Sequence, residues 1–243
     1  MNQSKQLLAC LRHGDFAHPG EVEAIELTMP SIAKHPHQNL LDVGCGLGGT
    51  AHYLHSQGFG HVVGVDLDEE LIRYAKKRYA ELAFVHGDVC DLTSLVHKTF
   101  QMICCFSSFF SFPLQQDALH AMASVADKGA RLIIFDYSKN SSAWVESPFR
   151  WSKTATHFNP IYIPQMKEML SKSGWHFNNS MDVTLQFEQW YETLLQQFES
   201  RQSELIKQFD STLFDKMYDG YRQLLLAIKA GTVGGVIVHA TRE

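Results

Sequence analysis

Asp42 stands two residues ahead of Gly44-x-Gly46-x-Gly48-Gly49, at the end of the apolar run NLLDVG. Glycines let a backbone turn tightly and approach a ligand with no Cβ between them. Dinucleotide enzymes share a G-x-G of this kind, with a pyrophosphate on the N-terminus of the next helix. Two features point elsewhere. The spacing reads G-x-G-x-G, although Gly49 also satisfies G-x-G-x-x-G. A carboxylate at Asp42 repels a pyrophosphate and welcomes an ammonium or bound waters; bonding to loop amides is its plainer role. Asp66 follows Gly44 by about 22 residues, the spacing of a carboxylate that receives both hydroxyls of a ribose. Asp88, in HGDVCD, is placed to accept from an adenine amine while the backbone of Val89 addresses the ring edge.

These residues need a frame that brings them together. The runs NLLDVG, HVVGVDL, LAFVHGD, FQMICCFSS and ARLIIFDYS read as five strands. Between them lie helical patterns: GGTAHYLHSQGF closed by Gly58, DEELIRYAKKRYAEL capped by Asp68, a short helix near 93–98, and LQQDALHAMASVAD. Leu71, Ile72, Ala75, Tyr79 and Leu82 share one face of the second pattern. Strand–helix alternation predicts parallel pairing through right-handed crossovers and an open, doubly wound α/β sheet. Ligands bind such sheets outside the carboxyl ends of the strands, where all three acids then stand. Further along, PQMKEMLSKSGW predicts a helix stopped by Gly174, with a strand near 175–180. FEQWYETLLQQFESRQSELIKQF predicts one long helix, and GGVIVHATR a final strand in an antiparallel edge. The chain reads as one domain over 1–243. A partly helical segment (1–38) precedes the core (39–138), a cap insert with strand six (139–212) and a terminal helix and strand (213–243).

The segments LLDVGCGLGGTAHYL, VVGVDLDEELIRYAKKR, FVHGDVCDL and ARLIIFDYSK, in this order, resemble the motifs of class I S-adenosylmethionine-dependent methyltransferases. The C-terminal third is similar, more loosely, to the small-molecule branch of that superfamily. The resemblance implies a Rossmann-like sheet of order 3-2-1-4-5-7-6 with strand seven antiparallel. It implies S-adenosylmethionine as cofactor, with its ribose at Asp66, its adenine amine at Asp88 and its methionine portion at the loop Gly44–Gly48; Asp42, Cys45, Gly46, Leu67, Val89 and Cys105 are further candidates for cofactor contact. The loop after strand four lacks the [N/D]-P-P-[Y/F] signature of enzymes that methylate amide or exocyclic nitrogens, and Gln101 stands where many relatives carry Asp. Phe106 and Phe109 in that loop read equally as pocket wall or core.

In LRHGDFAHPGEVEA, Arg12, His13, Asp15 and His18 crowd a Pro-Gly turn. Similar segments in related enzymes close over the cofactor. Arg12 or His13 is the candidate for its carboxylate, and His13 or His18 for a general base; a solvated turn is the alternative. The aromatic insert after strand five is expected to cap the site. Tyr137, Trp144, Trp151, Tyr162, Trp190 and Tyr191 offer a box for a cationic amine or a flat ring. Ordinary packing is equally open for each, and adjacent Trp190 and Tyr191 should not both face one pocket squarely.

The net charge of −5 provides no basic footprint for long nucleic acid. No run approaches the roughly 18 apolar residues of a membrane span, and the N-terminus lacks a signal-peptide pattern. Cys10, Cys45, Cys90, Cys104 and Cys105 are odd in number with no C-x-x-C, and read as buried small hydrophobes of a cytoplasmic chain. His18, His35 and His37 lack partners for a metal site, so no metal is expected. The favoured reading is methyl transfer to N or O of a small-molecule acceptor. A methyltransferase acting on protein or RNA, a non-catalytic S-adenosylmethionine-binding module and a nicotinamide dehydrogenase are the alternatives. Monomer and homodimer are both open.

Overall fold

The computed structural model describes residues 3–12, 14–29, 32–148 and 157–243. Two helices, α1 (Gln3–Leu11) and α2 (Glu21–Thr28), precede the sheet. β1 (Asn39–Val43) is buried from its second residue onward, as a strand covered on both faces must be. After it come α3 (Gly49–Ser56), β2 (His61–Asp66), α4 (Glu69–Arg78), β3 (Ala83–His86), α5 (Leu92–Leu95) and β4 (Phe100–Phe106). α6 (Gln115–Ser124) leads into β5 (Ala126–Ser138). α7 (Ile163–Lys172) and β6 (Trp175–Asp182) follow, then α8 (Thr184–Ser200), α9 (Gln202–Phe209), α10 (Ser211–Lys229) and β7 (Gly234–Arg242).

β1 pairs in parallel with β2 and β4, β3 with β2, and β5 with β4. β7 runs antiparallel between β5 and β6, so the sheet has the expected order β3-β2-β1-β4-β5-β7-β6. Side chains alternate across it. Leu40 joins a core with α1–α4 and α8–α10, while Leu41 joins a second core with α5–α7, whose members include Phe100 and Trp175.

Local signals set most boundaries. Asp68 caps α4 as expected, its Oδ1 accepting from Glu70 N at 3.0 Å and Leu71 N at 3.3 Å. β5 starts at Ala126 rather than 130, because a shift of register opposite Phe100 and Met102 lets the chain pair earlier. The single helix expected over 187–209 breaks at Arg201, whose guanidinium bonds Glu204 and the Cys10 carbonyl. The break turns Leu205 and Phe209 into the core that holds Leu7 and Leu11 of α1. Among the described residues, no helix is long and apolar enough to cross a membrane.

Candidate functional site

The glycine loop leaves β1 and is tied at once to β2: Gly44 N donates to Val65 O at 2.7 Å. At φ 73°, Gly44 admits no side chain cheaply; a Cβ there would lie 2.3 Å from Ser108 Cβ. Asp66 ends β2 and organises the loop. Its Oδ2 accepts from Gly46 N at 2.8 Å and its Oδ1 from Asp68 N at 2.9 Å. Burial raises the Asp66 carboxyl above the ordinary carboxylate range, against these two bonds. Asp88 is exposed and accepts from Cys90 N at 2.9 Å, and Leu67 between the two acids is 68% exposed.

Asp42 lies at the floor of this loop, 1% exposed. Cys104 Sγ approaches its Oδ1 at 3.8 Å, and its Oδ2 has no partner. Burial, and then the neighbouring Asp66, push its carboxyl up to about 7. A bare carboxylate oxygen in such a place is costly unless a ligand completes it.

The loop after β4 shows a second such atom. Ser107 sits at φ 50° with its hydroxyl buried and unpartnered. Asp136, near the end of β5, holds the loop: its Oδ2 accepts from Phe110 N at 3.1 Å and its Oδ1 from Tyr137 N at 2.7 Å. Burial pushes this carboxyl up to about 7 as well. The motif reading did not single out Asp136. Its signal was an acid inside the apolar run LIIFDYS, where a buried carboxylate must find donors. The structure corrects Phe109 and the side chain of Cys105. Both are 0% exposed and pack in the core with α5–α7, leaving Phe106 on the face of the N-terminal segment.

Residues 14–19 form a strap over the glycine loop. Gly49 N donates to Asp15 O at 3.3 Å, and Ala17 Cβ lies 3.6 Å from where a Cβ of Gly46 would be. Asp15 also receives the hydroxyls of Tyr74 at 2.9 Å and Tyr79 at 2.7 Å. His13 lies outside the described residues. His18 is corrected as a base. Its Nδ1 donates to Pro19 O at 3.1 Å, its Nε2 faces Thr50 Oγ1 at 3.0 Å, and burial pushes its pKa down to about 3. A ring with both nitrogens engaged and no tendency to protonate positions the strap; it does not collect protons.

Behind the strap, a cleft of about 210 Å³ is lined by Arg12, Pro19, Gly20, Trp190 and Tyr191, among others. The aromatic wall of this cleft comes from α8, in the part of the 139–212 insert that follows β6. Trp190 and Tyr191 both line the cleft, contrary to expectation. Tyr191 is buried against Tyr137, their hydroxyls bonded, while Trp190 turns outward to Glu23, donating at 2.9 Å; the cleft lies in the angle between them. Trp144 is 78% exposed and does not line this cleft, and Trp151 lies outside the described residues. Among the described residues, three buried side-chain atoms lack a partner: Arg12 Nη1, Asp42 Oδ2 and Ser107 Oγ. They belong to the start of the strap, the end of β1 and the loop after β4. No group of three His, Cys, Asp or Glu residues is placed to hold a metal ion among the described residues.

A family model described as a methyltransferase domain matches residues 40–129. Phosphoethanolamine N-methyltransferase 1 of Zea mays is 23% identical over 219 residues, covering 89% of this chain and 44% of its own length. The chain thus spans less than half the length of the curated relatives it matches first. Phosphoethanolamine N-methyltransferase 2 of Haemonchus contortus, solved in complex with S-adenosyl-L-methionine, superposes with a TM-score of 0.86 at 16% identity, over 99% of this chain and 57% of that one. A cyclopropane synthase of Mycobacterium tuberculosis superposes at 0.83 with 13% identity, over 100% and 94%. Residues 40–129 are thus similar in sequence to a methyltransferase domain, and nearly the whole chain shares the fold and strand order of solved methyltransferases.

Proposed function

We propose that this chain transfers a methyl group from S-adenosylmethionine to a nitrogen or oxygen of a small-molecule acceptor. The observation that carries the reading is the bare, buried Oδ2 of Asp42 beside the glycine loop. It fits the ammonium at the methionine end of the cofactor, whose charge would return the carboxyl to its ionised form. Asp66 would receive the ribose hydroxyls, Asp88 and the Val89 amide the adenine edge, and exposed Leu67 one face of the ring. The loop through Gly44, Cys45, Gly46 and Gly48, with the main chain of Cys105, would line the methionine portion.

When bound, the sulfonium supplies a methyl group already made electrophilic by its positive charge. The chain's own task is to align the acceptor and exclude water. Phe106, Tyr137, Trp190 and Tyr191 wall the acceptor side, and Asp136 fixes the loop that faces it. Among the described residues no side chain is poised as a strong base there. A neutral amine needs none, and the names of the relatives support an amine acceptor. The odd number of cysteines, three of them buried, supports a reducing, cytoplasmic setting.

Calorimetric titration with S-adenosylmethionine and its demethylated product tests the reading. Micromolar binding of both is expected for the wild type. Asp66→Ala should weaken it roughly 10- to 100-fold, the worth of charge-assisted hydrogen bonds. A wild type that binds neither ends the reading.

A further inference from the structure

Among the described residues no ion pair reaches the buried arginine behind the strap, the one cation among the site's buried side chains that lack a partner. Arg12 follows α1 directly, its N–H bonded to Leu8 O at 3.0 Å, so its backbone is held. Its side chain is 6% exposed, and Nη1 finds no acceptor. A buried guanidinium is costly unless paired. The groups that feel its charge are His18, Tyr137, Tyr191 and Tyr221. None of them is negative: burial holds the imidazole neutral and pushes all three phenols upward. Asp136 spends its oxygens on the main-chain N–H groups of Phe110 and Tyr137, and no ion pair joins it to Arg12. A guanidinium backed by neutral phenols, opening on a cleft of metabolite size, is the complement of an anion.

We infer that Arg12 binds a carboxylate or phosphate group carried by the acceptor, in the cleft between the strap and α8. This rests on the methyl-transfer reading above and adds the chemical class of the acceptor. It also assigns Arg12 a role other than holding the cofactor's carboxylate. Two observations favour the acceptor. The cleft that Arg12 lines is walled by Trp190 and Tyr191, far in sequence from the glycine loop. Its other wall carries Glu21 and Glu23, with Glu23 Oε2 accepting from Trp190 Nε1 at 2.9 Å. An arginine floor and an acidic, aromatic rim suit an amine that bears an anionic group.

The test separates the two roles of Arg12. Wild type and Arg12→Gln are first titrated with S-adenosylhomocysteine. Each, saturated with it, is then titrated with inorganic phosphate, O-phosphoethanolamine, glycine and ethanolamine. The wild type should bind at least one anionic probe about tenfold more tightly than ethanolamine. Arg12→Gln should weaken that binding by about tenfold or more and leave S-adenosylhomocysteine within about threefold, with Arg12→Lys intermediate. Phosphate against glycine decides which anion the site prefers. Loss of S-adenosylhomocysteine affinity in Arg12→Gln assigns the residue to the cofactor and overturns the inference. So does a wild-type complex that binds no anionic probe, or anion binding indifferent to the substitution. If Arg12→Gln does not fold, Arg12→Lys, which keeps the charge and loses the planar fork, must still weaken the anion with the cofactor product unaffected; no change overturns the inference. A wild type that binds no S-adenosylhomocysteine fails the functional reading instead.

Discussion

At the ends of β1, β2 and β3 the candidate side chains are carboxylates, two of them held by main-chain amides: Asp66 by Gly46 and Asp68, Asp88 by Cys90. Between the strap and α8 they are aromatic rings around one unpaired guanidinium. The first end is built from a short stretch of chain whose partners are near in sequence. The second joins Arg12, Gly20, Tyr137, Trp190 and Tyr191, which meet only when α8 packs on the sheet. The difference teaches that the end proposed for the cofactor is a local structure and the end proposed for the acceptor is a packing product. The two ends should therefore fail differently.

The largest effect is expected from a matched pair of glycines. Gly44 and Gly20 both sit at φ 73°, and an added Cβ would lie 2.3 Å from Ser108 Cβ in one and 2.5 Å from the Trp190 ring in the other. The left-handed backbone alone costs about 1–2 kcal/mol in each. Gly44→Ala should lose about 1–3 kcal/mol more, because Ser108 is pinned to Val43 O at 2.7 Å. Denaturant melts and cofactor titrations should show cofactor binding lost in Gly44→Ala and kept in Gly20→Ala. Equal loss in both would break the comparison.

An intermediate effect is expected from pH. Asp42 and Asp136 have carboxyls raised to about 7 from 3.8, so the folded chain keeps protons there that the unfolded chain has released. Stability from these groups is full below about pH 4 and is lost as pH rises to about 7. His18 has the opposite sign. Lowered to about 3 from 6.5, it withdraws stability as pH falls below 6.5. Asp42→Asn should flatten the profile between about pH 4 and 7 by up to about 1.4 kcal/mol per pH unit. It should also abolish the rise in affinity for the cationic cofactor between about pH 5 and 7. A variant whose cofactor affinity still climbs across that range would remove Asp42 from the ammonium site.

The smallest effect sharpens the boundary. Leu67 and Trp144 are 68% and 78% exposed, so alanine at either should leave stability within about 0.5 kcal/mol. Leu67→Ala should nonetheless weaken cofactor binding by about 1 kcal/mol, the worth of apolar area covered by a ring. Trp144→Ala should leave both cofactor and acceptor untouched. A cofactor loss on Trp144→Ala would draw the segment after β5 back into the site.

Which parts of the molecule the amino-acid order decides follows from the range of the forces involved. Alternating apolar runs, the Asp68 cap, the glycines and the acids after the first three strands are local signals, and they determined the parallel core and the position of Asp42, Asp66 and Asp88, while the order of the strands followed from the resemblance of the ordered motifs. No local signal distinguishes Phe106 from Phe109. One faces the strap and the other the opposite core because the chain turns at Ser107. His18 looked free to titrate until Thr50 and the Pro19 carbonyl closed on its two nitrogens. The break at Arg201 and the shared cleft of Trp190 and Tyr191 likewise arise from helices seeking apolar partners far away in sequence. Burial and pairing are properties of the packed state, so only the tertiary structure could leave Arg12 Nη1 buried without an acceptor.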